Sequence, residues 1–547
     1  MVKFPTPLKE IKYEIQQYAD DFGLDYYDII FEVLDYEKLN EVAAYGGFPA
    51  RYPHWRFGME YEHLSRTYTY GLSKIYEMVI NNDPCYAYLL ECNNEVDQKI
   101  VMAHVYGHCD FFKNNLWFAK TNRKMMDEMA NHGARITRHA DRHGMDRIEA
   151  FIDRCLSIED LIDMHLPFIK RKDDEVREMR PGLKFESEDQ PGHDGCGCGC
   201  GQGGEHACSA HASCPSAAGG PDMAEEFAED FMDDEEQSDV HPSKLRSKDY
   251  MDEYINPPEF WKEHERKIRD KLKGKKKFPE EPQKDVLLFL LDHAPLNYWQ
   301  RDILSAIREE AYYYAPQGQT KIMNEGWATF WHSTIMTQKA LKASELVDYA
   351  DHHSGTLGGS RTRLNPYKLG VELFRDIEER WDKGRFGKEY EECEDLALRR
   401  DWDLNLKLGR KKIFEVRQVC NDINFIDTYL TEEFCHRHKL FMYQYDTRTK
   451  QYVITSRKFR DVKEAILSSL TNFGRPLVYV EDGNYHNRGE LLLSHRYEGR
   501  ILDPVYARDT LVNIQYLWKR PVHIQTMDDD RKLIFSFDGE HHSDKRE

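Results

Sequence analysis

The chain has 547 residues, with 76 lysines and arginines against 97 aspartates and glutamates and a formal net charge of −21. That length predicts two or three domains and a sizeable core, and the aromatic content of 12% argues against global disorder. The acidic balance argues against general nucleic-acid binding, because phosphate would be repelled, and leaves room only for a local basic groove.

The opening MVKFPTPLKEIKYEIQQYADDFGLD has no apolar core or cleavage site, so no secretory signal is expected. No stretch approaches eighteen apolar residues, which predicts no transmembrane segment and a cytoplasmic location. Apolar residues at helical spacing predict helix over 7–45, and GGFPARYPHWRFG at 46–58 is a loop. Helix is expected again at 59–82. CYAYLLECNN (85–94) reads as strand or buried helix, and periodicity does not decide between them. Helices over 97–112 and 121–143 follow; Gly144 interrupts the second, and MDRIEAFIDRCLSIEDLIDMH resumes the pattern.

From 184 to 246 glycine, cysteine and acid dominate. The segment holds Cys196, Cys198, Cys200, Cys208 and Cys214, five of the twelve cysteines, in a spacing that matches no closed zinc module. Composition predicts a disordered insert with thiols able to take a soft metal. Helix returns at PPEFWKEHERKIRDKLK. Residues 285–315 read as two helices, NEGWATFWHSTIMTQKAL as a third, and 351–370 as a turn-rich loop. LFMYQYD, QYVITS, PLVYVEDG, GELLLSHRY, VHIQTM and KLIFSFDGE read as strands, with RDVKEAILSSL and DPVYARDTLVNIQYLWK helical between them. The expected organisation is α+β. A large, mainly helical N-terminal domain spans 1–183 and 247–405 around the insert at 184–246, and a small α+β domain spans 406–547.

Two histidine pairs stand four residues apart, His104 with His108 and His139 with His143. Residues i and i+4 share a helical face, so each pair can aim two imidazoles at one ion. The spacing of the first is that of the HExxH zinc helix, but Val105 stands where that motif carries its glutamate base. Glu325 and His332 share a face of the NEGWATFWH helix. A carboxylate in an apolar helix is costly to bury unless it is paired or bound to a metal. Metal ligands are therefore expected among His104, His108, Glu325, His139, His143 and His332. Glu325 or Glu149 is expected as the catalytic carboxylate, with Glu149 the base if Glu325 ligates. His353, in the loop, and Asn114 and Asn115 are expected to orient substrate or support the ligands; helix capping is the plainer role for the asparagines. No GxGxxG, P-loop or GxSxG signature is present.

GGFPARYPHWRFGMEYE, HVYGHCDFFKNN, NEGWATFWH and NPYKLG together resemble the SpoVR family, stage V sporulation protein R. The resemblance covers nearly the whole chain; the Gly/Cys-rich insert is its least typical part. It implies a link to the spore cortex, a peptidoglycan layer, and partnership with a serine protein kinase and a von Willebrand-like protein. The NEGWA helix is similar to the glutamate helix of gluzincin-like peptidases. The expected function is a zinc-dependent amidase acting on peptidoglycan or its precursors, with iron or manganese as alternative ions. Two other readings stand beside it. One is a non-catalytic scaffold working with the kinase. The other is a non-haem di-iron or manganese protein in a helical bundle, with glutamate and histidine on facing helices.

Overall fold

The structure is a computed structural model, and it describes residues 4–69, 77–169, 277–359, 364–528 and 531–546. These fall in one compact unit, Met1–Ile169 with Lys277–Glu547. The insert predicted at 184–246 and the helix predicted from PPEFWKEHERKIRDKLK lie outside the described residues.

The first third alternates helix and strand: α1 (Thr6–Asp21), β1 (Ile29–Leu34), α2 (Tyr36–Ala44), α3 (Trp55–Thr69), β2 (Glu77–Ile80), β3 (Cys85–Leu90) and α4 (Glu95–Asn114). Helix was expected throughout 7–45, yet IIFEVL is a strand. Its β-branched and aromatic side chains suit a pleated surface, and it runs parallel to β3 in register Ile29↔Cys85 to Leu34↔Leu90. The undecided CYAYLL is the central strand of the order β1-β3-β2. The helix expected over 59–82 ends at Thr69, and β2 pairs antiparallel to β3.

Helix α4 is the buried axis of this half. Asn94 caps it by accepting the Asp97 N–H at 2.7 Å, Glu95 and Asp97 sit at its positive end and Lys113 at its negative end. Every residue from Gln98 to Phe112 is buried, as expected of a helix enclosed on all sides.

Then come α5 (Met125–His143), α6 (Met145–Leu156), α7 (Val286–His293), α8 (Tyr298–Gln319), α9 (Lys321–Ile335), α10 (Leu346–Thr356) and α11 (Pro366–Asp382). Gly144 does end α5, at φ +89°. Of the loop expected over 351–370, the described residues 357–359 and 364–365 are non-helical, while 351–356 end α10 and 366–370 begin α11, so His352 and His353 are helical. The Gly and Ser residues that suggested a loop are tolerated there because α10 lies at the surface.

The remainder holds α12 (Gly409–Val419), α13 (Asp422–Tyr429), α14 (Glu432–His438), β4 (Met442–Asp446), β5 (Gln451–Ser456), α15 (Phe459–Leu470), β6 (Val478–Tyr485), β7 (Glu490–His495), α16 (Pro504–Trp518), β8 (Val522–Asp528), β9 (Arg531–Phe537) and β10 (His542–Arg546). Five strands form a mixed sheet in the order β10-β9-β8-β7-β6, with β7 and β8 parallel, while β4 and β5 form a separate hairpin. A mainly helical N-terminal region and a smaller mixed-sheet C-terminal region are thus both present. The cores do not divide at 406. One joins α1, β1, β3, α4, α9 and α11 to Ile413, Phe425 and Phe434 of α12–α14. The other packs α6, α7 and α8 beneath the C-terminal sheet and α16. Among the described residues no helix is long and apolar enough to cross a membrane.

Candidate metal centre

Two glycine contacts set the distance between the helices that carry the site. A Cβ on Gly107 of α4 would stand 2.7 Å from Ala328 Cα on α9. A Cβ on Gly326 would strike the backbone of Gly370 on α11, and one on Gly370 would strike Ile322 O and Gly326 Cα. Small residues therefore let α9 lie against α4 on one side and α11 on the other at backbone distance. His104 and His108 flank Gly107, and Glu325 lies one turn before Ala328, so this contact places both imidazoles opposite the carboxylate. Asp110 ties the same helices together. It accepts the Trp327 Nε1–H at 2.7 Å and the Asp25 N–H at 2.8 Å. Burial raises its carboxyl to about 6, against the pull of Arg417. Asp422 of α13 caps α9 by accepting the Ile322 and Met323 N–H groups at 2.8 and 2.9 Å.

Glu325 Oε2 stands 3.6 Å from His104 Nε2 and 3.5 Å from His108 Nε2, and the three residues are 6%, 5% and 8% exposed. Ligand bonds of about 2.0–2.1 Å to one tetrahedral zinc would separate ligand atoms by about 3.3 Å. Among the described residues Glu325 Oε2 has no hydrogen-bond partner although it is buried, which is costly for an anion unless a cation completes it. Oε1 accepts from Lys321 Nζ at 2.6 Å. Burial opposes ionisation of Glu325, but His104, His108 and Lys321 hold the carboxyl well below its usual range.

Each imidazole has its outer nitrogen engaged. His108 Nδ1 lies 2.9 Å from Asn324 Oδ1, which accepts and so fixes the proton on Nδ1. His104 Nδ1 lies 2.9 Å from His332 Nδ1, and His332 Nε2 lies 3.2 Å from His353 Nδ1. With a proton on His104 Nδ1, donation runs outward from His104 to His332 to His353, leaving both inner Nε2 lone pairs aimed at Glu325 Oε2. Burial and the neighbouring His104 push His108 down to about 4, so it is a neutral imidazole at pH 7. Two histidine Nε2 atoms facing a buried carboxylate oxygen, each imidazole with its outer nitrogen engaged, fit a divalent ion. Replacing Asn324 by Leu or His332 by Phe should weaken metal binding by about 10–100-fold without abolishing it. Competition against a fluorescent chelator measures this, and unchanged affinity would rule out an orienting role for these contacts.

The other expected residues lie elsewhere or serve other ends. His332 and His353 are beside the triad but one and two imidazoles outward. His139 Nε2 meets Asp302 Oδ2 at 2.8 Å, and the His143 ring lies 5.4 Å from Trp299. Glu149 Oε1 accepts the Trp55 N–H at 2.8 Å at the start of α3. Asn114 donates to Asp25 O and Asp110 O. Asn115 donates to Arg417 O and Cys420 O and caps the turn at Trp117.

A second His/Glu group, Glu128, His132 and Glu309, has atoms close enough to hold an ion, and sequence reasoning passed over it. His132 Nδ1 is 3.1 Å from Glu310 and Nε2 3.3 Å from Glu309, while Arg51 pairs with Glu310 at 2.5 Å. Burial alone would lower the pKa of His132, but the two carboxylates outweigh it and hold the imidazole at about 9. Without a bound ion the imidazolium donates from both nitrogens, and the group is an ion-pair network at neutral pH; a metal would have to displace that proton. The consecutive acids Glu309 and Glu310 in an otherwise aromatic helix were the available signal. Because its folded pKa lies above the unfolded value of about 6.5, His132 stabilises the fold fully below that pH and the contribution is lost as pH rises through 9. A loss of roughly 1–2 kcal/mol between pH 6.5 and 9.5 is expected, the exposed Glu309 being screened. Urea denaturation of wild type and His132→Gln should show it. An equal decline in the variant would assign the pH effect elsewhere.

Comparison with known proteins places these residues in a family frame. The family model described as SpoVR like protein matches residues 4–475, and that described as SpoVR-like C-terminal domain matches residues 476–529. The chain is 26% identical over 546 residues to a protein of Escherichia coli (strain K12) named Uncharacterized protein YcgB, covering 95% of this chain and 92% of that one. No solved structure matches.

Proposed function

Starting from a chain that belongs to the SpoVR family, we propose that it is a metal-dependent amide hydrolase acting on peptidoglycan or its precursors, with zinc at His104, His108 and Glu325. The observation that carries the reading is the buried Glu325 Oε2, without a hydrogen-bond partner among the described residues and 3.5–3.6 Å from two histidine nitrogens. A zinc ion there would supply Lewis-acid chemistry, activating water and polarising the scissile carbonyl. The chain's own residues do the rest. His104 and His108 would bind through Nε2, with Asn324 fixing the tautomer of His108 and His332 engaging the outer nitrogen of His104. Lys321, on the solvent side with its side chain 58% exposed, holds Glu325 Oε1 and keeps the carboxylate ionised. It stands where an incoming anionic group would meet a positive charge. Glu149 is committed to Trp55, and the group contains no second carboxylate.

Zinc-loaded protein should release new amino groups from purified peptidoglycan fragments, and Glu325→Gln should not. Stoichiometric zinc with no release from any cross-linked or uncross-linked fragment would sink the hydrolase reading. It would favour the scaffold acting with a serine protein kinase and a von Willebrand-like protein. Stoichiometric iron in its place would favour redox chemistry.

A further inference from the structure

The β4–β5 hairpin has little burial to hold it. Two strands alone are marginally stable in water, yet every residue of β5 from Gln451 to Thr455 is exposed. Tyr445 is 47% exposed, Tyr452 49%, Val453 43% and Ile454 39%. Directly opposed residues share a face, so Tyr443, Tyr445, Tyr452 and Ile454 line one side and Gln444 and Val453 the other. Among the described residues each strand pairs only with its partner, which leaves both outer edges open.

The charge of this element is opposite to that of the chain. Between Lys439 and Arg460 there are six cations (Lys439, Arg448, Lys450, Arg457, Lys458 and Arg460) and one carboxylate, in a chain of net charge −21. That carboxylate, Asp446, is occupied by the turn, accepting the Arg448 N–H and the Thr449 hydroxyl, both at 2.9 Å. Arg460 pairs with Glu464, and Arg457 lies over the Phe441 ring. Among the described residues Arg448, Lys450 and Lys458 have no carboxylate within ion-pairing distance.

The cations lie in the turn (Arg448, Lys450) and beside the strand ends (Lys439, Arg457, Lys458, Arg460), and like charges brought together at these ends disfavour a second copy of this hairpin as the occupant. The same cations attract an acidic strand. We propose that the β4–β5 hairpin is a docking site for an extended acidic polypeptide, which adds to an open edge as a further strand. Main-chain hydrogen bonds supply affinity in that mode and alternate side chains supply selectivity. The β-branched Val453 and Ile454 suit cross-strand pairing. Base stacking needs free aromatic faces, whereas Tyr445 and Tyr452 turn towards each other with centroids 5.1 Å apart.

The test uses the full chain and a fluorescent ten-residue peptide alternating glutamate with valine. Its controls are the same peptide with lysine for glutamate, a version N-methylated on alternate backbone amides, and an oligothymidylate of equal charge. Anisotropy should show binding of the acidic peptide, a loss of about tenfold or more on N-methylation, and a similar loss in Arg448→Glu/Lys450→Glu. Circular dichroism checks that this variant folds. No binding, insensitivity to N-methylation, binding unchanged in the charge variant, or tighter binding of the oligothymidylate would each overturn the proposal.

Discussion

Replacing both His104 and His108 by alanine should reduce bound zinc from about one equivalent to none that survives dialysis. A site built from three protein ligands keeps only one carboxylate after the change, and each lost ligand removes a bond that carries much of the binding free energy, on the order of 10 kcal/mol for a complete protein zinc site. Glu325→Gln should act in the same direction but less completely, because the two imidazoles remain, ordered by Asn324 and His332. Elemental analysis of untagged protein would measure this. A version lacking residues 190–216 separates the five clustered cysteines from the core site. Zinc kept in the deletion and lost in the histidine variant assigns it to the triad. Zinc lost in the deletion and kept in the histidine variant would assign it to the cysteines and remove the basis for hydrolysis at Glu325. The variant loses the His104–His332 and His108–Asn324 contacts between α4 and α9, but should stay folded because the helices also meet through Gly107 with Ala328 and Asp110 with Trp327.

The three residues of this site were legible because helical spacing is a strong local signal and a lone glutamate in WATFWH-like surroundings has few uses. Their grouping across more than two hundred residues was legible only by chemistry, as a set of ligands with no partner nearby in sequence. What sequence could not separate was the ligand from its support. His332 shares a face with Glu325 as well as any ligand would, but a full two turns further along it meets His104's outer nitrogen. His139 and His143 match the first pair in spacing yet face Asp302 and Trp299, because spacing says which residues share a face and not what that face meets. Asn324, inside the same NEGWA motif, was missed because an amide has many roles and only the 2.9 Å contact to His108 selects one. Strand β1 was misread for a similar reason: its partner β3 lies some fifty residues on, so the pairing that overrides local periodicity is absent from any short window. The C-terminal strands were legible because most belong to hairpins whose turns lie in the same window.

Gly370→Ala should destabilise the protein by about 3–5 kcal/mol and weaken zinc binding with it. The added methyl would meet Ile322 O and Gly326 Cα, and both are backbone, so neither can rotate away as a side chain would. Overpacking against mobile side chains costs about 1–3 kcal/mol; a backbone collision must be relieved by moving a helix. The helix that moves is α9, held at its start by Asp422 and along its other side by Gly107 and Asp110 of α4. Any displacement from α11 therefore strains the cap or presses α9 into α4, and either shifts Glu325 relative to Nε2 of His104 and His108. Gly58→Ala provides the contrast. It lies within α3 and a Cβ there meets nothing within 4 Å, so restricting the unfolded chain should make it neutral or stabilising by up to about 1 kcal/mol. Denaturant unfolding of both variants, with zinc affinity measured below the transition, checks the pair. Gly370→Ala within about 0.5 kcal/mol of wild type would show that α9 and α11 are not held at backbone contact. Lost stability with unchanged zinc affinity would show that the site tolerates movement of the helix that carries its carboxylate.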